Sequence, residues 1–191
     1  MTTSHPRRRA RRIAVAVCAL TATLTAIAPT ASAAPTPPAA PATTTAEAAR
    51  EYYPNVDWIV CEVNKTRKAK DLPGLLVSDQ ASNVARSHTQ DMSRMGKLTS
   101  VGSDGRDLRT RLSDAGIFSN YIAEYMFYGY NHDGYFADMA TDPDPHNAFY
   151  KDLMSADIAA IGIGYHNRYW DVDLVGPHRR LDTRPAACTG E

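Results

Sequence analysis

Ala85-Arg86-Ser87-His88-Thr89-Gln90-Asp91-Met92-Ser93-Arg94-Met95-Gly96-Lys97-Leu98-Thr99-Ser100-Val101-Gly102-Ser103-Asp104-Gly105 is the stretch whose reading sets the fold of this chain. Ala81, Val84, Ala85, His88, Met92 and Met95 recur at three- and four-residue spacing, which places them on one face of a helix. Gly96 supplies the left-handed residue that ends such a helix, and Lys97 complements the negative end of its dipole. Ser100 to Gly105 is small, polar and punctuated by glycine, so it reads as a shaped loop. A helix that delivers a tight loop to the edge of a cleft is a scaffold for a site.

Upstream, Pro54-Asn55 marks a helix start, with Asn55 as N-cap and Asp57 in the first turn. Val56, Ile59, Val60 and Val63 form its apolar stripe, to about Lys65. Asp71-Leu72-Pro73-Gly74 is a turn, Leu75 to Val77 a short buried connector, and Ser78 or Asp79 the cap of the second helix. Downstream, Asp107 to Ala115 predicts a third helix ended by Gly116. Asn120 to Tyr130 predicts a strand, from its Tyr, Ile, Met and Phe content. Two short helices over Tyr135–Met139 and His146–Leu153 follow. A strand pair, Ile158–Tyr165 and Tyr169–Val175, then turns at His166-Asn167-Arg168. Tyr169, Asp171 and Asp173 alternate with Trp170, Val172 and Leu174, the pattern of a half-buried antiparallel strand. Helices first, then strands and helices mixed, predict an α+β layered domain.

Several blocks carry a family resemblance. Ala85, His88, Asp91, Met92, Gly96, Leu98 and Gly102-Ser103-Asp104-Gly105 fall in the order of the first block of bacterial SCP-like domains in the CAP superfamily (cysteine-rich secretory proteins, antigen 5, pathogenesis-related 1). Val63-Asn64-x-x-Arg67 resembles the helix that opens the family domain. Ile161-Gly162-Ile163-Gly164 resembles its i-G-v-G strand, and Tyr169-Trp170 its y-W. The resemblance runs from about Val56 to Val175 and implies a three-layer α-β-α sandwich with a small antiparallel sheet.

Composition bounds the rest. Residues 1–33 hold five arginines and no acid, then an apolar run from Ile13 to about Ile27, then Ala31-Ser32-Ala33. This is the layout of a secretory signal peptide, with an uncleaved anchor as the alternative; Arg11-Arg12 leaves the export route open. Residues 34–50, rich in Pro, Ala and Thr, have too little apolar surface to offset ordering entropy and are expected to be a disordered linker. Residues 51–191 form the domain. Without residues 1–33, 16 basic side chains face 21 acidic ones, a balance with no basic field for nucleic acid. Cys61 and Cys188 remain after Cys18 leaves with the signal peptide. In an oxidising compartment they suggest one disulfide, the alternative being two free thiols. A secreted monomer with no membrane span after signal cleavage is expected.

The family cleft is built from two histidines and two acids and holds a metal in some members. By resemblance, the first histidine falls on Ser100, the acid of the family's G-E-N-I-A strand on Glu124, and the second histidine on His146. The second acid has no clear position among Asp138, Asp142 and Asp144. One imidazole and one carboxylate do not complete a zinc shell, and the acids among the prolines are not an EF-hand. No catalytic residue and no cofactor is therefore assigned, calcium or zinc being the ions such a cleft would take. Glu124 and His146 read either as a structural ion pair or as an acid–base pair. Gly102-Ser103-Asp104-Gly105 lacks the spacing of a nucleophile elbow and reads as a turn. The aromatics from Tyr121 to Phe136 read as core, or as the lining of an apolar groove. These readings predict a non-enzymatic extracellular protein whose degenerate cleft at Ser100, Glu124 and His146 binds a lipid-like molecule, an envelope component or a protein. The alternatives are an extracellular hydrolase or metal-dependent activity using Glu124 and His146, and a purely structural envelope protein.

Overall fold

The computed structural model describes residues 52–178 and 180–188; the expected signal peptide and linker lie outside them. The elements run α1 (Val56–Lys68), β1 (Leu76–Val77), α2 (Asp79–Met95), α3 (Leu108–Asp114), β2 (Ile122–Tyr128), α4 (Asp133–Thr141), α5 (Ala148–Leu153), β3 (Ala160–His166) and β4 (Tyr169–Val175). The four strands form one sheet in the order β1-β3-β4-β2, with β1 parallel to β3 and the other pairs antiparallel.

The caps explain where the helices begin. Asn55, Ser78, Asp107 and Asn147 each accept a hydrogen bond from a backbone N–H in the first turn that follows. Gly96 ends α2 at φ 62°, the left-handed conformation expected of it. The Val63-Asn64-x-x-Arg67 motif ties α1 to the chain that follows. Asn64 brackets the backbone of Leu75, donating to its carbonyl at 3.0 Å and accepting from its N–H at 2.7 Å. Arg67 is buried and donates to the carbonyls of Pro73 and Ser155.

The sheet separates two unequal layers. On one side α1, α4 and α5 bury Ile59, Val63, Phe136, Phe149 and Leu153 against Ile161, Ile163, Trp170, Val172 and Leu174. Most of the aromatic run belongs here: Phe127, Phe136 and Phe149 contact one another, and Phe136 stacks on Trp170. Tyr128 and Tyr135 stay exposed. On the other side lies α2, with α3 at its flank, and a smaller apolar cluster of Ala81, Leu108, Leu112, Ile117 and Val175. Together these layers make the α-β-α sandwich.

The α2 side departs from the sequence reading. The alternation in β4 predicted a solvent face for Tyr169, Asp171 and Asp173, yet Asp171 and Asp173 are 0% exposed. The cause lies on the neighbouring strand, where Gly162 pairs with Asp173 and Gly164 with Asp171. A Cβ on Gly164 would stand 2.3 Å from the backbone of Ala85 and Arg86, and one on Gly162 2.5 Å from that of Ala81. With no side chains between them, α2 lies directly on β3 and covers the carboxylates beside it. Ser82 seals the contact, its Oγ accepting from the Ile163 N–H at 3.1 Å.

A disulfide joins Cys61 to Cys188 with Cα atoms 5.7 Å apart. It fastens the C-terminal tail to α1, where Arg184 also pairs with Asp57 and exchanges backbone hydrogen bonds with Val77. No helix among the described residues is long and apolar enough to cross a membrane.

Candidate functional site

The site is built from α2, the loop after it, α3 and the face of β2 and β4 that α2 covers. Asp91, near the end of α2, accepts from the N–H and the hydroxyl of Ser103, both at 2.6 Å, and from Arg94 at 2.8 Å. These bonds moor the Gly102–Gly105 loop and hold the Asp91 carboxyl below the usual carboxylate range. Asp104 accepts from the Arg106 N–H, completing the turn expected there.

Arg111 on α3 is the hub. Its guanidinium donates to the carbonyls of Ser100 and Arg106, at 3.0 and 2.9 Å, and to the carboxylate of Glu124 on β2. Burial pushes the Glu124 carboxyl up to about 7, against the pull of Arg111. The His88 ring lies beside this pair, its Nε2 3.9 Å from Glu124 Oε1. Nε2 also lies 2.7 Å from the Thr99 carbonyl oxygen. Burial and the Arg111 charge lower the imidazole pKa, so the ring is neutral. A carbonyl only accepts, so Nε2 carries the proton and Nδ1 keeps its lone pair. Nδ1 is buried without a hydrogen-bond partner.

Two acids unnoticed as site residues in the sequence complete the buried part. Asp173 is the cross-strand partner of Glu124, and Asp171 follows two residues earlier on the same face. No side chain among the described residues donates to any of their four carboxylate oxygens, and only the neighbouring Val172 N–H acts on Asp171. Burial, reinforced by the neighbouring acids, raises both pKa values well above the carboxylate range. One His88 nitrogen and one oxygen each from Glu124 and Asp171 lie within 4.8 Å of one another.

A groove of about 530 Å³ opens beside this cluster, between α2, the Gly102–Arg106 segment and α3. His88 and Arg111 lie in its wall. Asn83, Ser87, Asp91, Arg94, Ser103 and Arg106 add further polar groups.

The expected cleft residues are dispersed relative to this centre. Glu124 is in it, and Ser100 meets it through the carbonyl that Arg111 binds. The His146 side chain is 94% exposed and pairs with Asp144 at 3.2 Å. None of the hydrogen bonds or ion pairs among the described residues joins it to Glu124, whose partners are Arg111 and His88. A metal held by Ser100, Glu124 and His146 does not fit this arrangement, because the Glu124 side chain is buried while the His146 imidazole faces solvent beside Asp144. The sequence does not single out Arg111, reads Asp171 and Asp173 only as one face of a half-buried strand, and reads His88 as part of a helix face and a family block.

Comparison with solved structures shows which folds the chain resembles. A Bacillus anthracis extracellular protein containing an SCP domain aligns over 64% of this chain and 40% of its own, with TM-score 0.57 and 17% identity. A cysteine-rich secretory protein from Staphylococcus aureus aligns over 64% of this chain and 38% of its own, with TM-score 0.53 and 14% identity. An outer surface protein of Borrelia burgdorferi aligns over 65% of this chain and 93% of its own, with TM-score 0.54 and 16% identity. The aligned part is thus about two-fifths of each of the first two proteins, and these likenesses are of fold. No curated protein matches the chain. The profile of the CAP, or cysteine-rich secretory protein, family matches residues 60–173, and the chain belongs to that family.

Proposed function

We propose that this CAP domain works outside the cell by binding, without turnover, a polar component of the cell envelope in the groove beside α2. The observation that carries this reading is the engagement of Glu124 by Arg111 next to an open groove. Glu124 is held by Arg111 and is not among the residues that line the groove, and the Ser103 hydroxyl donates to a carboxylate of depressed basicity instead of an imidazole. The groove has the size of a small-molecule site. Most of the residues that line it carry polar side chains, Arg94 and Arg106 lie at the rim, and no Phe, Tyr or Trp is among them. Export is supported by the signal-like residues 1–33 and by a disulfide, which persists in oxidising compartments.

Soluble muropeptides are the probe. Amide shifts in the NMR spectrum of the protein are expected around Ser87, Ser103 and Arg106, with no cleavage product by mass spectrometry. Ser87→Trp, on the exposed face of α2, fills the groove and is expected to abolish the shifts. Cleavage that Glu124→Gln abolishes would overturn the reading in favour of the hydrolase. Absence of shifts, or shifts unchanged in Ser87→Trp, would refute the groove as the site.

A further inference from the structure

We propose that His88, Glu124 and Asp171, with Asp173 behind them, form a buried site for one divalent transition-metal cation of the zinc or manganese type. This inference is independent of what the groove binds.

Three observations converge on it. The first is unsatisfied chemistry. Asp171 and Asp173 are fully buried with no side-chain donor among the described residues to any of their four oxygens, and the His88 Nδ1 lone pair is buried without a partner. Buried polar atoms in native folds are almost always satisfied, so each of these needs a partner. The second is spacing. Donor atoms of His88, Glu124 and Asp171 already lie within 4.8 Å of one another. Ligands around tetrahedral zinc at about 2.1 Å stand roughly 3.4 Å apart, so the three donors must draw together by up to about 1.4 Å and leave a fourth position open. The third is charge. Three carboxyls and one guanidinium share a dry layer, and one divalent cation would balance the two negative charges that remain when all three carboxyls ionise.

The surroundings suit such an ion. A ligating histidine commonly donates one ring N–H to a carbonyl and binds the ion through the other nitrogen; His88 Nε2 lies 2.7 Å from the Thr99 carbonyl oxygen, which leaves Nδ1 as the free lone pair. Arg111 holds one oxygen of Glu124 and orients that carboxylate. The groove wall at His88 and Arg111 provides the approach from solvent. One nitrogen with carboxylate oxygens matches zinc and manganese, whereas calcium prefers six to eight oxygens.

The test is calorimetric titration of the EDTA-stripped full-length chain with zinc chloride at neutral pH, repeated with manganese and calcium. Cobalt serves as an absorbing substitute that reports a nitrogen–oxygen shell. One ion per chain is expected for zinc or manganese, with calcium much weaker. Asp171→Asn keeps the side-chain shape and removes a ligand charge, so it is expected to fold by circular dichroism and weaken the ion at least about tenfold. His88→Gln is expected to do the same and to shift the cobalt bands. His146→Ala, which removes a solvent-exposed imidazole, is expected to bind as the native chain does. Failure of the native chain to bind zinc or manganese saturably would overturn the proposal. Native-like affinity in a folded Asp171→Asn would do so too, as would loss of the ion in His146→Ala.

Discussion

Gly164→Ala tests the contact on which the α2 layer is built. The added Cβ would stand 2.3 Å from Ala85 C and Arg86 N and 2.6 Å from Ala85 O. That is about 1.1 Å inside the 3.4 Å at which ordinary contact begins. Every atom it meets is backbone, so no rotamer change relieves it. Strand β3 is paired along its whole length with β4 and at Ala160 and Ile161 with β1, so it cannot withdraw alone. The helix must therefore lift by about 1 Å, and a gap of that size forfeits a quarter to a half of the dispersion well across an interface. The residues affected include Ala81, Ala85, His88 and Met92, all at most 2% exposed. The bond from the Ile163 N–H to Ser82 Oγ, at 3.1 Å, lengthens with the gap. Overpacking costs about 1–3 kcal/mol where side chains adjust, and the strained hydrogen bond adds about 1. We expect a loss of about 4 kcal/mol, which lowers Tm by roughly 8–16 °C for a chain of this size. Gly96→Ala is the control. Its φ of 62° strains an alanine, but nothing lies within 4 Å of the new Cβ, so it should cost only about 1 kcal/mol. Urea unfolding of both variants gives the comparison. Equal costs for the two would refute direct backbone packing of α2 on β3.

Two further predictions concern the tail and the buried acids. Replacing Cys61 and Cys188 by alanine should destabilise the domain by up to about 4–5 kcal/mol, since the closed loop spans 127 positions; alkylation of both sulfurs in the unreduced native protein would contradict the bond. Burial raises the pKa of Glu124 to about 7 and those of Asp171 and Asp173 well above their ordinary range. A carboxyl that holds its proton more tightly folded than unfolded adds stability that is complete below the unfolded pKa, near 4, and is lost as pH rises through the folded pKa. In chelator, urea midpoints should therefore fall from pH 5 to pH 8, and less steeply in Asp171→Asn; a flat native profile would contradict it.

Local signals in the sequence translate directly into structure because they act over a few residues. Asn55, Asp107 and Gly96 cap helices where their side chains or backbone freedom require it. The order of the family blocks is matched by the profile over residues 60–173 and by the sandwich itself. The site was less legible. Period-two alternation in β4 reveals which residues share a face, but not what covers that face. Asp171 and Asp173 therefore read as solvent residues. Arg111 gave no signal as one arginine on a short helix, since its role comes from carbonyls 5 and 11 positions earlier and a carboxylate 13 later. His146 was placed by motif alone, and a motif carries no information on how far a loop turns its side chain outward.

One signal for the buried acids was present across the strand pair. Gly162 and Gly164 sit at the same register positions as Asp173 and Asp171, so two side-chain-free sites adjoin two acids on one face. Such a strip invites a helix with small contact residues, and Ala81, Ser82 and Ala85 on α2 supply them. The close approach that the glycines permit also excludes water from the carboxylates beside them. Fold and site are thus one physical arrangement. A wider helix–sheet gap would hydrate Asp171 and Asp173 as ordinary surface acids. The narrow one leaves them only a proton or a cation as partner, and makes the docking of α2 sensitive to which of the two they hold.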